Sequence, residues 1–294
     1  MSPDPHVTER KATEPTVTEP AATEPAAAGR TATRLRVSSP TDPVVAQLRA
    51  AGCVFAEQEA QILMAAADDD AELSRLTARR VAGAPLEHIV GWVEFAGRRL
   101  AVGPGVFVPR KRSELLAAVT VASAATRERP RILEAYCGAA PLAATAQAWL
   151  RDARVYATDV DATALHYARR NLGEYAEIFR GAGLSGLPAA LRGTIDVITA
   201  VPPYVPDNAV TLLPHEAADH EPHRALLAGP DGLDHLRTLT EHAAEWLVDD
   251  GVLAMEMNEA QVRATVACAH GFRASVFADD DLSTVVLRLT RTGA

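Results

Sequence analysis

The stretch Arg131-Ile132-Leu133-Glu134-Ala135-Tyr136-Cys137-Gly138-Ala139-Ala140-Pro141, RILEAYCGAAP, starts as an apolar run of strand length and passes through small residues straight into a helix start. Small residues let a ligand approach the backbone, and a helix N-terminus offers unpaired N–H groups. A second such run, Arg154–Thr158, ends in Asp159-Val160-Asp161, about twenty-five positions after Glu134. An acidic side chain there is placed to accept hydrogen bonds from both hydroxyls of a ribose. Each signal alone has a plainer reading. A small-residue turn serves close strand–helix packing, and a strand-end Asp serves as a helix cap. In this order, the two together point to a nucleoside ligand.

The same alternation continues outward. Strands are expected at 177–179, 195–200, 251–257, 274–278 and 283–289, and helices at 114–125, 141–150, 162–171 and 233–247. Strands alternating with helices predict an α/β domain with a mostly parallel sheet covered on both faces. In such sheets ligands bind beyond the carboxyl ends of the strands, near the topological switch point.

Upstream, residues 91–110 read as a β-hairpin, Trp92–Phe95 and Arg99–Val102 joined through Gly97. Residues 41–90 carry helical periodicity, with Val44, Val45, Leu48 and Ala51 on one face and Ala60, Ile62, Leu63 and Ala66 on another. Ser39 or Thr41 is the expected cap of the first helix. Before residue 41 the motif Thr-Glu-Pro recurs at 13–15, 18–20 and 23–25 among alanines. That composition buries too little apolar surface to offset its ordering entropy, so residues 1–40 read as a disordered tail.

Composition bounds the partners. A net charge of −9 argues against a nucleic-acid clamp with a basic face. Three widely spaced cysteines, Cys53, Cys137 and Cys268, form neither a disulfide framework nor a zinc pattern. With no signal peptide and no run of membrane-spanning length, the expected location is the cytoplasm.

A second motif follows the strand 195–200: Val201-Pro202-Pro203-Tyr204, a rigid turn tipped by an aromatic ring. With it, the sequence resembles the HemK/PrmC-type protein-(glutamine-N5) methyltransferase family, class I S-adenosylmethionine-dependent enzymes. The resemblance runs from about Thr41 to the C-terminus through Gly83–Gly91, Phe95-Ala96-Gly97, Pro104–Arg110, Arg112-Ser113-Glu114, Glu221-Pro222, Gly232-Leu233 and Glu256. It implies a seven-stranded Rossmann-like domain over 111–294, with 41–90 as a substrate adaptor and 91–110 as a hairpin linker. It further implies S-adenosylmethionine as cofactor, held by Glu134, Tyr136, Cys137, Gly138, Ala139, Ala140, Asp159, Val160 and Val201. Val201, Pro202, Pro203 and Tyr204 would grip an acceptor amide, and the protein substrate implied is a translation release factor.

Three positions depart from the family pattern. Val201 stands where the turn carries Asn, deleting a hydrogen-bond acceptor. Tyr136 and Ala140 replace two of the three loop glycines, leaving Gly138. After the strand 177–179 the chain continues Arg180-Gly181-Ala182-Gly183, without the acidic residue that meets the adenine amino group. The readings compatible with this are a glutamine-type methyltransferase of reduced activity and a catalytically impaired binding protein that keeps the fold. A nucleic-acid adenine methyltransferase shares the PPY turn and is disfavoured by the acidic charge and by Val201. No metal is expected. His215 and His220 in the cluster His215-Glu216, Asp219, His220, His223 are five apart and share no helical face. Cys137 reads as a packing residue. Arg110 and Glu114 either close the cleft from the hairpin side or form a surface ion pair.

Overall fold

A computed structural model describes Val7–Glu9 and residues 42–212, 215–279 and 284–293. The chain divides into two units, Ala12–Val90 and Gly91–Ala294 with Met1–Lys11. Most of the expected disordered tail lies outside the described residues. Val7–Glu9 departs from that expectation: it forms a short strand, β1.

In the smaller unit, α1 (Pro43–Ala50), α2 (Ala56–Ala66), α3 (Asp70–Val81) and α4 (Leu86–Val90) enclose Val45, Leu48, Ala56, Ala60, Leu63, Leu76 and Ile89. The cap of α1 is Asp42 rather than Ser39 or Thr41; its Oδ1 accepts from Val44 N at 2.9 Å and Pro43 follows at the first helical position. Arg80 ties α3 to α2 by a two-pronged ion pair with Glu59, at 2.6 and 3.1 Å.

The larger unit begins with the hairpin β2 (Trp92–Phe95) and β3 (Arg98–Ala101). It is not a free linker: Val93, Phe95 and Leu100 are buried in the unit's own core. There follow α5 (Glu114–Ala124), β4 (Arg131–Ala135), α6 (Pro141–Trp149), β5 (Arg154–Asp159), α7 (Ala162–Leu172), β6 (Glu177–Arg180) and β7 (Ile195–Ala200). The chain ends with α8 (His215–His220), α9 (Asp234–His242), β8 (Leu247–Asn258), α10 (Val262–Ala267), β9 (Phe272–Ala278) and β10 (Thr284–Arg291).

The sheet order is β1-β9-β10-β8-β7-β4-β5-β6. The seven strands from β4 to β10 form the expected mixed sheet, and β1 adds a parallel edge to β9. Pairing is parallel from β6 across to β8, while β10 runs antiparallel to both its neighbours. Consecutive strand residues serve opposite faces. Ile132, Val197 and Ala254 pack with α5, α6 and α7, whereas Leu133, Ile198 and Leu253 pack with α9. A sheet covered on both sides needs apolar residues at every position, so its strands read as continuous runs.

β8 starts four residues before the expected Gly251, because Leu247 already pairs with Ile195. Asp249-Asp250-Gly251 is an irregularity inside that strand, with Asp250 at φ 57°. The predicted helix 233–247 accordingly stops at His242.

Candidate active site

From β4 the chain moves outward to β5 and β6, then returns to the other side of β4 as β7. The loops after β4 and β7 diverge there, and the carboxyl ends of the parallel strands open on a cleft of about 1100 Å³. Glu134, Tyr136, Cys137, Gly138, Ala139, Asp159, Val160, Val201, Pro202, Pro203 and Tyr204 all line it. Ala140 does not. Its methyl group is fully buried among core residues, so it shapes the loop from behind.

The loop after β4 is held open by backbone conformation. Tyr136, Gly138 and Ala140 have φ of 55°, 52° and 59°, all left-handed. For Tyr136 and Ala140 that conformation costs about 1–2 kcal/mol each. A Cβ placed on Gly138 would meet no atom within 4 Å, so this position faces an open cradle that any side chain would begin to fill.

Asp159 ties the second strand to this loop. Its Oδ2 accepts from Gly138 N at 2.9 Å and its Oδ1 from Asp161 N at 2.8 Å. A carboxylate has about four lone-pair sites, so the group retains capacity for a ligand hydroxyl. Burial raises its pKa above the ordinary carboxylate value, against the pull of those N–H groups.

Glu134, 2% exposed, accepts from Ala143 N at 2.7 Å at the N-terminus of α6. Burial nonetheless lifts its carboxyl pKa to about 8, and nearby Asp159 adds to the rise. Burial also pushes the Cys137 thiol well up, which suits a packing residue and not a nucleophile. Tyr136 turns its ring toward α9, its hydroxyl 3.3 Å from His235 Nδ1, and burial raises the phenol to about 12.

The turn after β7 is braced from several directions. Val201 is half-buried against the core beneath α5 and α6, and offers the cleft only carbon. Pro202 and Pro203 are buried. The Tyr204 carbonyl accepts from Gln261 Nε2 at 2.9 Å, and the same nitrogen donates to the Gly232 carbonyl at 3.0 Å. Gly232 has φ 72°, and a Cβ there would sit 2.4 Å from the Tyr204 carbonyl, so glycine is required for the two turns to meet. At the ring's other end, Arg112 Nη2 donates to the Tyr204 hydroxyl, which donates to Glu256 Oε1, both at 3.2 Å. Arg112 Nε closes the triangle on Glu256 at 3.3 Å. Burial raises the Tyr204 phenol, as does the Glu256 carboxylate, while Arg112 pulls it down.

No local pattern connects residues 112, 204, 256 and 261, so this bracing was invisible in the sequence. The available sign was a carboxylate inside an apolar run, Glu134 in 132–135 and Glu256 in 251–257.

Arg110 and Glu114 part company. Arg110 lines the cleft but pairs with Glu221 at 2.6 Å, and Glu221, its side chain 1% exposed, also accepts from Val108 N at 3.1 Å. Glu114 instead accepts from the hairpin's Ala96 N at 3.0 Å. Arg224 pairs with Asp161 across the rim, and although burial opposes it, this cation holds the Asp161 carboxyl below its ordinary value. The segment 221–224 is therefore fastened to both sides of the cleft.

These residues fit S-adenosylmethionine. The Gly138 cradle accepts a group lying against backbone, and Asp159 retains lone-pair capacity for a ribose.

No protein-family model matches the chain. A release factor glutamine methyltransferase of Mycolicibacterium smegmatis is 34% identical over 252 residues, spanning 80% of this chain and 88% of that protein. One from Mycobacterium tuberculosis is 39% identical over 196 residues, spanning 64% and 62%. A 4-amino-L-phenylalanine/4-methylamino-L-phenylalanine methyltransferase of Streptomyces pristinaespiralis is 34% identical over 195 residues, spanning 64% and 66%. Among solved structures, the hMettl16 catalytic domain in complex with a 3′UTR hairpin shares the fold, with a TM-score of 0.51 at 13% identity over 74% of this chain and 81% of that one. At the first of these identities, maintained across most of both chains, this chain belongs to the release factor glutamine methyltransferase family, whose methyl donor is S-adenosylmethionine.

Proposed function

We propose that this protein transfers a methyl group from S-adenosylmethionine to the side-chain amide nitrogen of a glutamine in a translation release factor, in the cytoplasm. The observation that carries this reading is the single cleft shared by the Gly138 cradle and the braced Pro202-Pro203-Tyr204 turn. When bound, the cofactor supplies an electrophilic methyl group on a sulfonium. Asp159 and the loop 136–140 hold it, with Glu134 and Val160 in the same wall. An amide nitrogen is a poor nucleophile, so the protein's task is orientation. Tyr204, fixed at its carbonyl and its hydroxyl, packs on the amide face, while the Pro202 carbonyl accepts one amide N–H. Val201 leaves the second N–H without an acceptor. Residues 41–90 act as the adaptor that docks the protein substrate.

Removing one preorganised polar partner lowers a rate by about 10²–10³. The wild-type protein is therefore a slow methyltransferase, and Val201 also favours a second reading, an impaired binding protein. The test is transfer of labelled methyl groups to a purified release factor and to a host lysate, wild type against Val201→Asn. The expected result is slow transfer by wild type and a gain of about a hundredfold with Asn. Turnover by neither version supports the binding-protein reading. A lower rate with Asn, seen only on a lysate component, identifies an acceptor that is apolar beside its nitrogen. Equal rates show that position 201 does not touch the acceptor.

A further inference from the structure

Ser113 directly precedes α5, where a serine ordinarily caps the helix by accepting from a backbone N–H two or three residues on. It makes no such bond. The residue is 3% exposed, and its hydroxyl has no hydrogen-bond partner among the described residues. Yet Ser113 lines the cleft. Unpaired buried hydroxyls are costly, and native structures keep few of them. The next residue back, Arg112, lines the same wall. Two of its nitrogens hold Glu256 and the Tyr204 hydroxyl, and Nη1 makes no hydrogen bond among the described residues. Arg112 is therefore anchored beside the turn that carries Val201, and Ser113 follows it in the cleft wall.

We infer that Ser113 and Arg112 form an oxygen-binding subsite that takes a carbonyl or carboxylate oxygen of the methyl acceptor. The inference rests on reading the PPY turn as the acceptor site. Where Val201 gives the acceptor nitrogen no polar contact, the subsite orients the acceptor from its oxygen end. Ser113 donates a neutral hydrogen bond and Arg112 a charge-assisted one. A glutamine side-chain carbonyl and the carboxylate of a free amino acid share this chemistry.

The test uses the full chain saturated with S-adenosylhomocysteine, titrated with acetamide and with acetate while the Ser113 and Arg112 amide signals are followed by NMR. Wild type is expected to bind at least one probe with shifts at both residues. Ser113→Ala should weaken binding about tenfold, and Ser113→Thr should retain it. Calorimetry should give the same S-adenosylhomocysteine affinity for all three proteins. The Tm of Ser113→Ala should be unchanged or higher, because an unpaired buried hydroxyl is removed; a structural hydroxyl would lower it.

Preference for acetamide marks an amide acceptor and preference for acetate a carboxylate-bearing one. Probes that leave Ser113 unshifted, or that bind Ser113→Ala as well as wild type, show a hydroxyl satisfied by water only and overturn the subsite. Labelled transfer to the release factor is scored separately. No transfer alongside Ser113-dependent probe binding refutes the release-factor reading and leaves the subsite standing. Equal transfer by wild type and Ser113→Ala, with no probe binding, refutes the subsite alone.

Discussion

Replacing Glu134 by Gln should flatten the pH dependence of stability in the cofactor-free protein. Glu134 is buried with its carboxyl at about 8 in the folded chain, against an ordinary 4.5 when unfolded. Between these values the folded state holds a proton that the unfolded state has released, so stability falls as pH rises. The contribution is complete below about 4.5 and is lost progressively until the pH passes about 8. At about 1.4 kcal/mol per pKa unit, the loss between pH 5 and pH 9 is about 4 kcal/mol. That is a large part of the 5–15 kcal/mol typical of a folded domain. Gln keeps a carbonyl oxygen to accept from Ala143 N and cannot ionise, so the variant should lack this slope. The assay is urea unfolding of both proteins at pH 5, 6, 7, 8 and 9. The two should agree most nearly at pH 5 and diverge above it, with wild type the less stable. Parallel curves would refute the assignment of a protonated Glu134. As a second readout, the cationic cofactor favours the ionised carboxylate, so its affinity for wild type should rise as pH passes 8 while that of Glu134→Gln should not.

Asp159→Ala removes the carboxylate that both holds Gly138 N and faces the proposed ribose position, and titration calorimetry should show cofactor affinity lowered by about a hundredfold. Unchanged affinity would move the cofactor elsewhere. Glu221→Ala strips Arg110 and Val108 N of their shared partner, which should cost about 2–3 kcal/mol in urea unfolding, discounted because Arg110 is partly exposed. A cost below about 0.5 kcal/mol, the scale of an ordinary surface substitution, would show that the fastening of segment 221–224 contributes nothing.

The sheet could be read from sequence because burial on both faces leaves little choice of residue. Ile132-Leu133 and Val197-Ile198 each send neighbouring side chains to opposite cores, so apolarity is continuous and strand-length. The misread boundaries follow from local signals overruled by pairing. Asp249-Asp250-Gly251 reads as a turn, yet Leu247 before it already bonds to Ile195. For the hairpin, amphipathic alternation says nothing of what covers its apolar side, which here is the core of the larger unit. Long-range polar contacts were the least visible. The partners of Tyr204 lie 92 residues away at Arg112 and 52 away at Glu256. The resemblance names Arg112, Tyr204 and Glu256 separately, and a carboxylate within Ala254-Met255-Glu256-Met257 marks one end of that contact, but no sequence signal pairs them.

The three sequence departures turn out to differ in physical kind. In the loop, Tyr136 and Ala140 adopt the same left-handed backbone as Gly138, so losing glycine there leaves the path of the chain in place and is charged to stability. The Tyr136 ring adds bulk toward His235 without closing the Gly138 cradle. After β6, Ala182 lines the cleft with no charge to meet an amino group, which removes one contact and leaves the wall. At position 201 nothing in the backbone compensates. Tyr204 is still gripped by Arg112, Glu256 and Gln261, so the turn keeps the rigidity of an acceptor site while its first side chain offers no polar atom. Cofactor binding should therefore survive the first two changes better than methyl transfer survives the third.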